Sequence, residues 1–232
     1  LMNTLGLDRV HVILFTRRFS KMPAEAFIER ILIKQLAAVG VVVGENFTFG
    51  RGRRGDLALL RQAGQRHGMR IVVVRPVLKS GAVVSSSRIR SLVSHGQLRK
   101  ASRLLGRPVQ LYGDVVRGAG RARRLGFPTA NVRLEKGVCF PPLGVYRVDL
   151  WHGQRRDQGL MNLGVRPTFS SMANGHVPIV CEVHLPKFRG TLYGRTVRID
   201  VLQRLRAERR FPSPQALTAQ IRRDLRRAFV RH

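Results

Sequence analysis

Acidic residues are scarce in this chain of 232: 13 Asp and Glu stand against 43 Lys and Arg, for a formal charge of +30. Lysine is scarce as well. Only six of the 43 are Lys, at 21, 34, 79, 100, 136 and 187, which leaves 37 Arg. A charge of this size draws any polyanion, so a basic nucleic-acid-binding module without catalysis is one reading of the chain. Two features weigh against it. Aromatic residues make up 6%, too few for a run of base-stacking platforms. The arginines are spread from Arg9 to Arg231 and form neither a stripe nor a tail. Cysteine is almost absent. Cys139 and Cys181 cannot build a disulfide framework or a four-cysteine zinc site, and they fit a reducing compartment as two small buried apolar side chains. No apolar run approaches the ~20 residues of a membrane span. The first residues lack a basic stretch followed by an apolar one, so a cytoplasmic protein is expected. The chain opens on Leu1 rather than Met and reads as a piece of a longer protein.

What is present is enough apolar material, 44%, for a packed core. Residues 1–100 alternate strand-like and helical patterns. Val10–Phe15, Val39–Val43 and Ile71–Val74 are short apolar runs of strand length. Phe27, Ile28, Ile31, Leu32 and Leu36 recur at helical spacing after Pro23, and Asp56 can cap a helix over Leu57–His67 that Gly68 ends. A short helix is expected from Ser86 to His95 and another over 97–106. Alternation of this kind predicts a parallel sheet covered by helices. Past Gly106 and Pro108 the rhythm changes. Val109–Val116, Gly144–Leu150, Val177–Leu185 and Arg195–Leu202 are short strands separated by Gly, Pro and Asn, which predicts an antiparallel barrel or sandwich. A last helix is expected from Pro214 to Phe229, with Leu217, Ile221, Leu225 and Phe229 on one stripe.

The stretch Gly118-Ala-Gly-Arg-Ala-Arg-Arg-Leu-Gly-Phe-Pro-Thr-Ala-Asn131 carries the most chemistry. Gly118 and Gly120 let the backbone turn and turn its N–H groups towards an anion. In an extended segment, residues two apart face the same way, so the Thr129 hydroxyl and the Asn131 amide oxygen converge. Two neutral hard oxygens suit Mg²⁺, with phosphate and water completing the octahedron. The same residues also suit a Gly-rich turn followed by an ordinary loop. Glu182 alternates with Cys181 and Val183 and fits a solvated strand position; His184 reads as a surface residue of the same strand.

These residues resemble a known family. Residues 118–131 are similar to the signature of riboflavin kinases, and further segments of that family follow in order: Gly144-Val-Tyr146, Asn162-Leu-Gly-Val-Arg-Pro-Thr-Phe169, Cys181-Glu-Val-His-Leu185, Gly190-Thr-Leu-Tyr-Gly194, and Leu205-Arg-x-Glu208-x-x-Phe211. Upstream, Gly44–Asp56 and Ser85-Ser-Ser-Arg-Ile-Arg90 resemble segments of the bacterial bifunctional riboflavin kinase/FMN adenylyltransferase, or FAD synthetase. The resemblance implies a truncated Rossmann-like α/β nucleotidyltransferase domain over 1–100 and a small antiparallel Greek-key β-barrel with a C-terminal helix, the riboflavin kinase domain, over 106–232. It implies an enzyme that converts riboflavin and ATP to FMN and ADP with Mg²⁺. By the same resemblance, Gly118, Gly120 and Arg121 bind the ATP phosphates, Thr129 and Asn131 hold the metal, and Glu182 is the general base. Arg206 and Phe211 border the flavin. Ser86, Ser87 and Arg88 contact the triphosphate of the adenylyltransferase half at a helix N-terminus. The chain departs from the family in two places. It contains no His-x-Gly-His segment, His11, His67 and His95 being isolated, and Asn46 stands where the family has Asp. FMN without FAD is therefore the expected product. A flavin-binding regulator that lost turnover is a third reading, against which the intact Thr129, Asn131 and Glu182 stand.

Overall fold

Caps and apolar spacing set the local structure of the first 83 residues. Helices α1 (Arg17–Ser20) and α2 (Ala24–Phe27) come first, and α2 runs on as a wider π-type coil over Ile28–Gln35, in which the Leu36 N–H reaches the Ile31 carbonyl at 2.9 Å. Strand β1 (Gly40–Gly44), helix α3 (Leu57–His67) and strand β2 (Arg70–Val74) follow, then a small hairpin of β3 (Leu78–Lys79) and β4 (Ala82–Val83). The Asp56 carboxylate accepts the Leu59 N–H at 2.9 Å and so satisfies one of the free donors at the start of α3, and Gly68 ends that helix in the left-handed conformation. The spacing of Ala24, Ile28 and Leu32 turns these residues to one side, where they pack with Phe49, Leu60, Ala63 and Met69. The computed structural model describes residues 5–79, 81–118, 122, 125–135, 137–165 and 179–229.

Strands β1 and β2 pair in parallel, Gly40 opposite Arg70 through Gly44 opposite Val74. The strand expected over Val10–Phe15 does not form; Val12, Leu14 and Phe15 are 85%, 80% and 78% exposed. An apolar run becomes a strand only where a neighbour takes its N–H and C=O groups. Among the described residues, β1 and β2 pair only with each other.

The second compact unit begins at Val84. It contains α4 (Ser86–Ser94), α5 (Leu98–Leu105), β5 (Val109–Val116), β6 (Thr129–Leu134), β7 (Gly144–His152), β8 (Arg155–Val165), β9 (Ile179–His184), β10 (Thr196–Ala207) and α6 (Pro214–Phe229). The six strands close into an antiparallel barrel in the order β10-β5-β6-β9-β8-β7. Alternate residues point inwards: Leu111, Tyr146, Val148, Leu150, Met161, Leu163, Val183 and Ile199 are all at most 1% exposed. Val93, Leu98 and Ala101 from α4 and α5 join this core, so both helices belong to the barrel unit by packing, ahead of residue 106 where the family resemblance starts. Outward-facing Val145, Leu160 and Leu205 are covered by Leu225, Ala228 and Phe229 of α6. Arginine ties that helix down. Arg227 donates to the Leu205 carbonyl at 3.0 Å and Arg147 to the Ala228 carbonyl at 3.4 Å. No helix of the described residues is long and apolar enough to cross a membrane.

Candidate active site

Barrel closure lays out one row of outward-facing residues across five strands. Asn131 of β6 is directly opposite Glu182 of β9, Glu182 is opposite Asn162 of β8, Asn162 is opposite Val145 of β7, and Val145 is opposite Arg206 of β10. Directly opposed residues share a face of the sheet. Cys181 and Val183, on either side of Glu182, are 2% and 0% exposed inside the barrel, which sends the Glu182 carboxylate outwards. Burial pushes the Cys181 thiol up to about 12, so it stays protonated and inert.

Two clefts meet along this face. The first, about 280 Å³, is bordered by Thr129, Asn162, Glu182 and Arg206, with Phe211 and Ile221 over its apolar end. The second, about 430 Å³, is bordered by Gly118, Thr129, Asn131, Phe188 and Tyr193. Thr129 borders both. A methyl group placed on Gly118 would stand 2.2–2.5 Å from the side-chain atoms of Asn131, so glycine lets the backbone come this close to the amide. The Asn131 side chain is thereby held against the Gly118 backbone in the second cleft. Its oxygen and the Thr129 hydroxyl are neutral, hard donors two residues apart on one strand face. This donor set fits Mg²⁺ that brings its remaining ligands as phosphate and water.

Arg206 has its donors committed. Its Nε and Nη2 both reach Asp224 Oδ2 at 2.9 Å, and its Nη1 reaches the Ala207 carbonyl at 3.1 Å. The Asp224 side chain is 5% exposed, and its other oxygen accepts from Gln220 at 2.7 Å. With its edge spent on α6, Arg206 offers its flat face, which lies 5.5 Å from the centre of the Phe211 ring; Arg209 lies 4.9 Å from the same ring. Arg206 is thus built as a platform beside an aromatic ring and not as an anion ligand. His184 is committed too, its Nδ1 at 2.8 Å from the Pro128 carbonyl and its ring edge-on to Phe127. On the wall of the second cleft, Phe188 meets the buried His152 edge-on, and His152 Nε2 lies 2.8 Å from Asp157.

The structure therefore brings Thr129, Asn131, Glu182, Arg206, Phe211 and Gly118 to one face of the barrel unit. Gly120 and Arg121 lie outside the described residues, as does the second half of the segment running from Asn162 to Phe169. Ser86, Ser87 and Arg88 form the start of α4 and border neither cleft; the Ser85 hydroxyl caps that helix, accepting the Arg88 N–H at 3.3 Å. Sequence reasoning passed over Asp224 and Asn162. The signal for Asp224 was a carboxylate on the apolar side of an otherwise Arg-rich helix. Asn162 lies in a family-like segment, and the mixed polar and apolar residues around it hide the strand that carries it.

Comparison with known proteins identifies the family. Residues 105–230 match the family model described as riboflavin kinase, and residues 1–88 match that described as FAD synthetase. The chain is 38% identical over 220 residues to a bifunctional riboflavin kinase/FMN adenylyltransferase of Escherichia coli K12, covering 94% of this chain and 68% of the relative. It is 38% identical to its counterpart from Pseudomonas fluorescens (95% and 69% covered) and 35% to that from Haemophilus influenzae (96% and 70%). A crystal structure described as a macrolide-efflux protein from Streptococcus pneumoniae matches with a TM-score of 0.82 at 28% identity, covering all of this chain and 73% of that one. The chain belongs to the bifunctional riboflavin kinase/FMN adenylyltransferase family, and its barrel half is a riboflavin kinase domain.

Proposed function

We propose that riboflavin lies in the first cleft and ATP in the second, with transfer occurring where Thr129 separates them. One observation carries this reading: the strand register sets Glu182 between Asn131, which faces the second cleft, and Asn162, which faces the first. Phosphoryl transfer requires mainly positioning and neutralised charge, and a row across a closed barrel supplies fixed spacing. The Glu182 carboxylate accepts the proton of the riboflavin 5′-hydroxyl as that oxygen bonds to the γ-phosphorus and the bridge to the β-phosphate breaks, releasing FMN and ADP. Thr129 and Asn131 would hold Mg²⁺, which supplies charge neutralisation on the phosphates. The turn at Gly118, with Gly120 and Arg121, would receive the phosphate chain. Phe211 and the face of Arg206 would border the flavin ring.

The division of labour we propose keeps residues 1–100 for the FAD-synthetase half, with Ser86, Ser87 and Arg88 receiving a triphosphate, and 106–232 for the kinase. A cytoplasmic location is part of the same reading. The test is incubation with riboflavin, ATP and Mg²⁺, with the flavins separated by chromatography. FMN should form, and Glu182→Ala should abolish most of its formation in a folded protein. An active Glu182→Ala enzyme would remove that carboxylate from the mechanism.

A further inference from the structure

Asn162 has no part in the chemistry above, yet it stands next to the proposed base. It is directly opposite Glu182, shares its outward face and borders the first cleft. The other nitrogen-bearing side chains of that wall are engaged, His184 with the Pro128 carbonyl, Arg206 with Asp224 and Ala207, and Arg209 with Gln220. Among the described residues no protein group hydrogen-bonds the Asn162 amide. A primary amide carries both a donor and an acceptor, and a hydroxyl group does the same, so the two are matched partners.

The row also acts as a ruler. Neighbouring strands lie ~4.8 Å apart along the barrel wall, so Asn162 is about 5 Å from Glu182 along that wall and Arg206 lies two strands further round. A flavin with its 5′-hydroxyl at Glu182 and its ring beside Arg206 and Phe211 must lay its polyol chain over Asn162. Val145, the next residue in the row, has no polar group to offer. We propose that Asn162 is a specificity residue, hydrogen-bonding a secondary hydroxyl of the ribityl chain and thereby setting how far the 5′-oxygen reaches towards the phosphate. This rests on the placement of riboflavin in the first cleft.

The experiment compares kcat/KM for riboflavin with that for 2′-, 3′- and 4′-deoxyriboflavin, all of which keep the 5′-hydroxyl, in the unmodified protein, Asn162→Ala and Phe211→Ala. Loss of one hydrogen bond predicts that Asn162→Ala loses about tenfold on riboflavin. On one of the deoxy analogues, which the unmodified protein already handles poorly, the substitution should cost nothing further. The KM for ATP should not move. Each variant meets every substrate in the same preparation, so a partly misfolded fraction cancels in the ratio. Equal losses on riboflavin and on all three analogues would overturn the proposal while leaving the cleft assignment standing. An unchanged riboflavin KM in Phe211→Ala would instead overturn the cleft assignment, and the role of Asn162 with it.

Discussion

Both halves of the chain are rich in β-branched runs, and they put them to different ends. In the amino-terminal unit β1 and β2 form a two-stranded parallel sheet, and Val42 and Val72, on facing positions, remain 68% and 38% exposed. In the barrel Val148, Val183, Val197 and Val201 are at most 1% exposed. Composition does not separate the two cases; closure does. A closed barrel gives every strand two partners and gives its inward side chains a common interior, whereas a two-stranded sheet leaves an edge and a face without either. The candidate kinase site lies on the closed element, where strand register fixes the spacing of Asn131, Glu182, Asn162 and Arg206.

That contrast can be tested from its largest consequence to its smallest. Glu182→Ala should lower FMN formation by about 10²–10⁴, the usual worth of a positioned base, with the melting transition unchanged because the carboxylate faces outwards. Thr129→Ala combined with Asn131→Ala should cost about two orders of magnitude and raise the Mg²⁺ concentration needed for half-maximal rate, with little effect on riboflavin KM. Leu150→Ala and Leu60→Ala remove the same side chain from the two cores, both sites being fully buried. Each should cost about 2–5 kcal/mol, read by thermal melting. Only the barrel variant should reduce FMN formation on mild heating, because Leu60 belongs to a core that shares no residue with the barrel's. If Leu60→Ala inactivates the kinase equally, the two cores are not separable.

Two finer effects lie within the barrel unit. Asp224→Asn takes the charge away from the partner of Arg206 and should raise riboflavin KM several-fold while leaving ATP KM near its original value; a purely structural role would lower activity on both substrates alike. Asp149, opposite Asp200 on β7 and β10, has its carboxyl raised above the usual 3.8, first by burial and then by the Asp200 charge, against the pull of Arg156 and Arg147. A raised acid favours the fold only while protonated, so its contribution is present below 3.8 and is lost as pH climbs through the folded value. Asp149→Asn should therefore melt slightly higher than the unmodified protein at pH 7, with the difference closing at acid pH.

Much of this architecture is legible in the chain. The cap at Asp56, the run of β5 over Val109–Val116 and the span of α6 from Pro214 to Phe229 follow from local rules of capping and periodicity. Val10–Phe15 shows where those rules stop, since strand propensity without a partner yields exposed, irregular chain. Strand β8 was hidden for the opposite reason: its outward residues Arg156, Gln158 and Asn162 break up the apolar pattern that its inward residues Met161 and Leu163 carry.

The sequence by itself determined that Thr129 and Asn131 share one strand face and that Glu182 points away from Cys181 and Val183, because alternation along a strand is a local property of the backbone. Its ordered family-like segments also single out Glu182 as the proposed base and Thr129 and Asn131 as the proposed metal-holding oxygens. Only the tertiary structure decided which of these residues become neighbours. Glu182 meets Asn131 and Asn162 through hydrogen-bond registers between strands far apart in the chain, and Arg206 loses its donors to Asp224 of a helix that docks on the barrel's outside. Register across strands is fixed by closure and core packing acting on the whole barrel at once, and no local window of sequence contains that information.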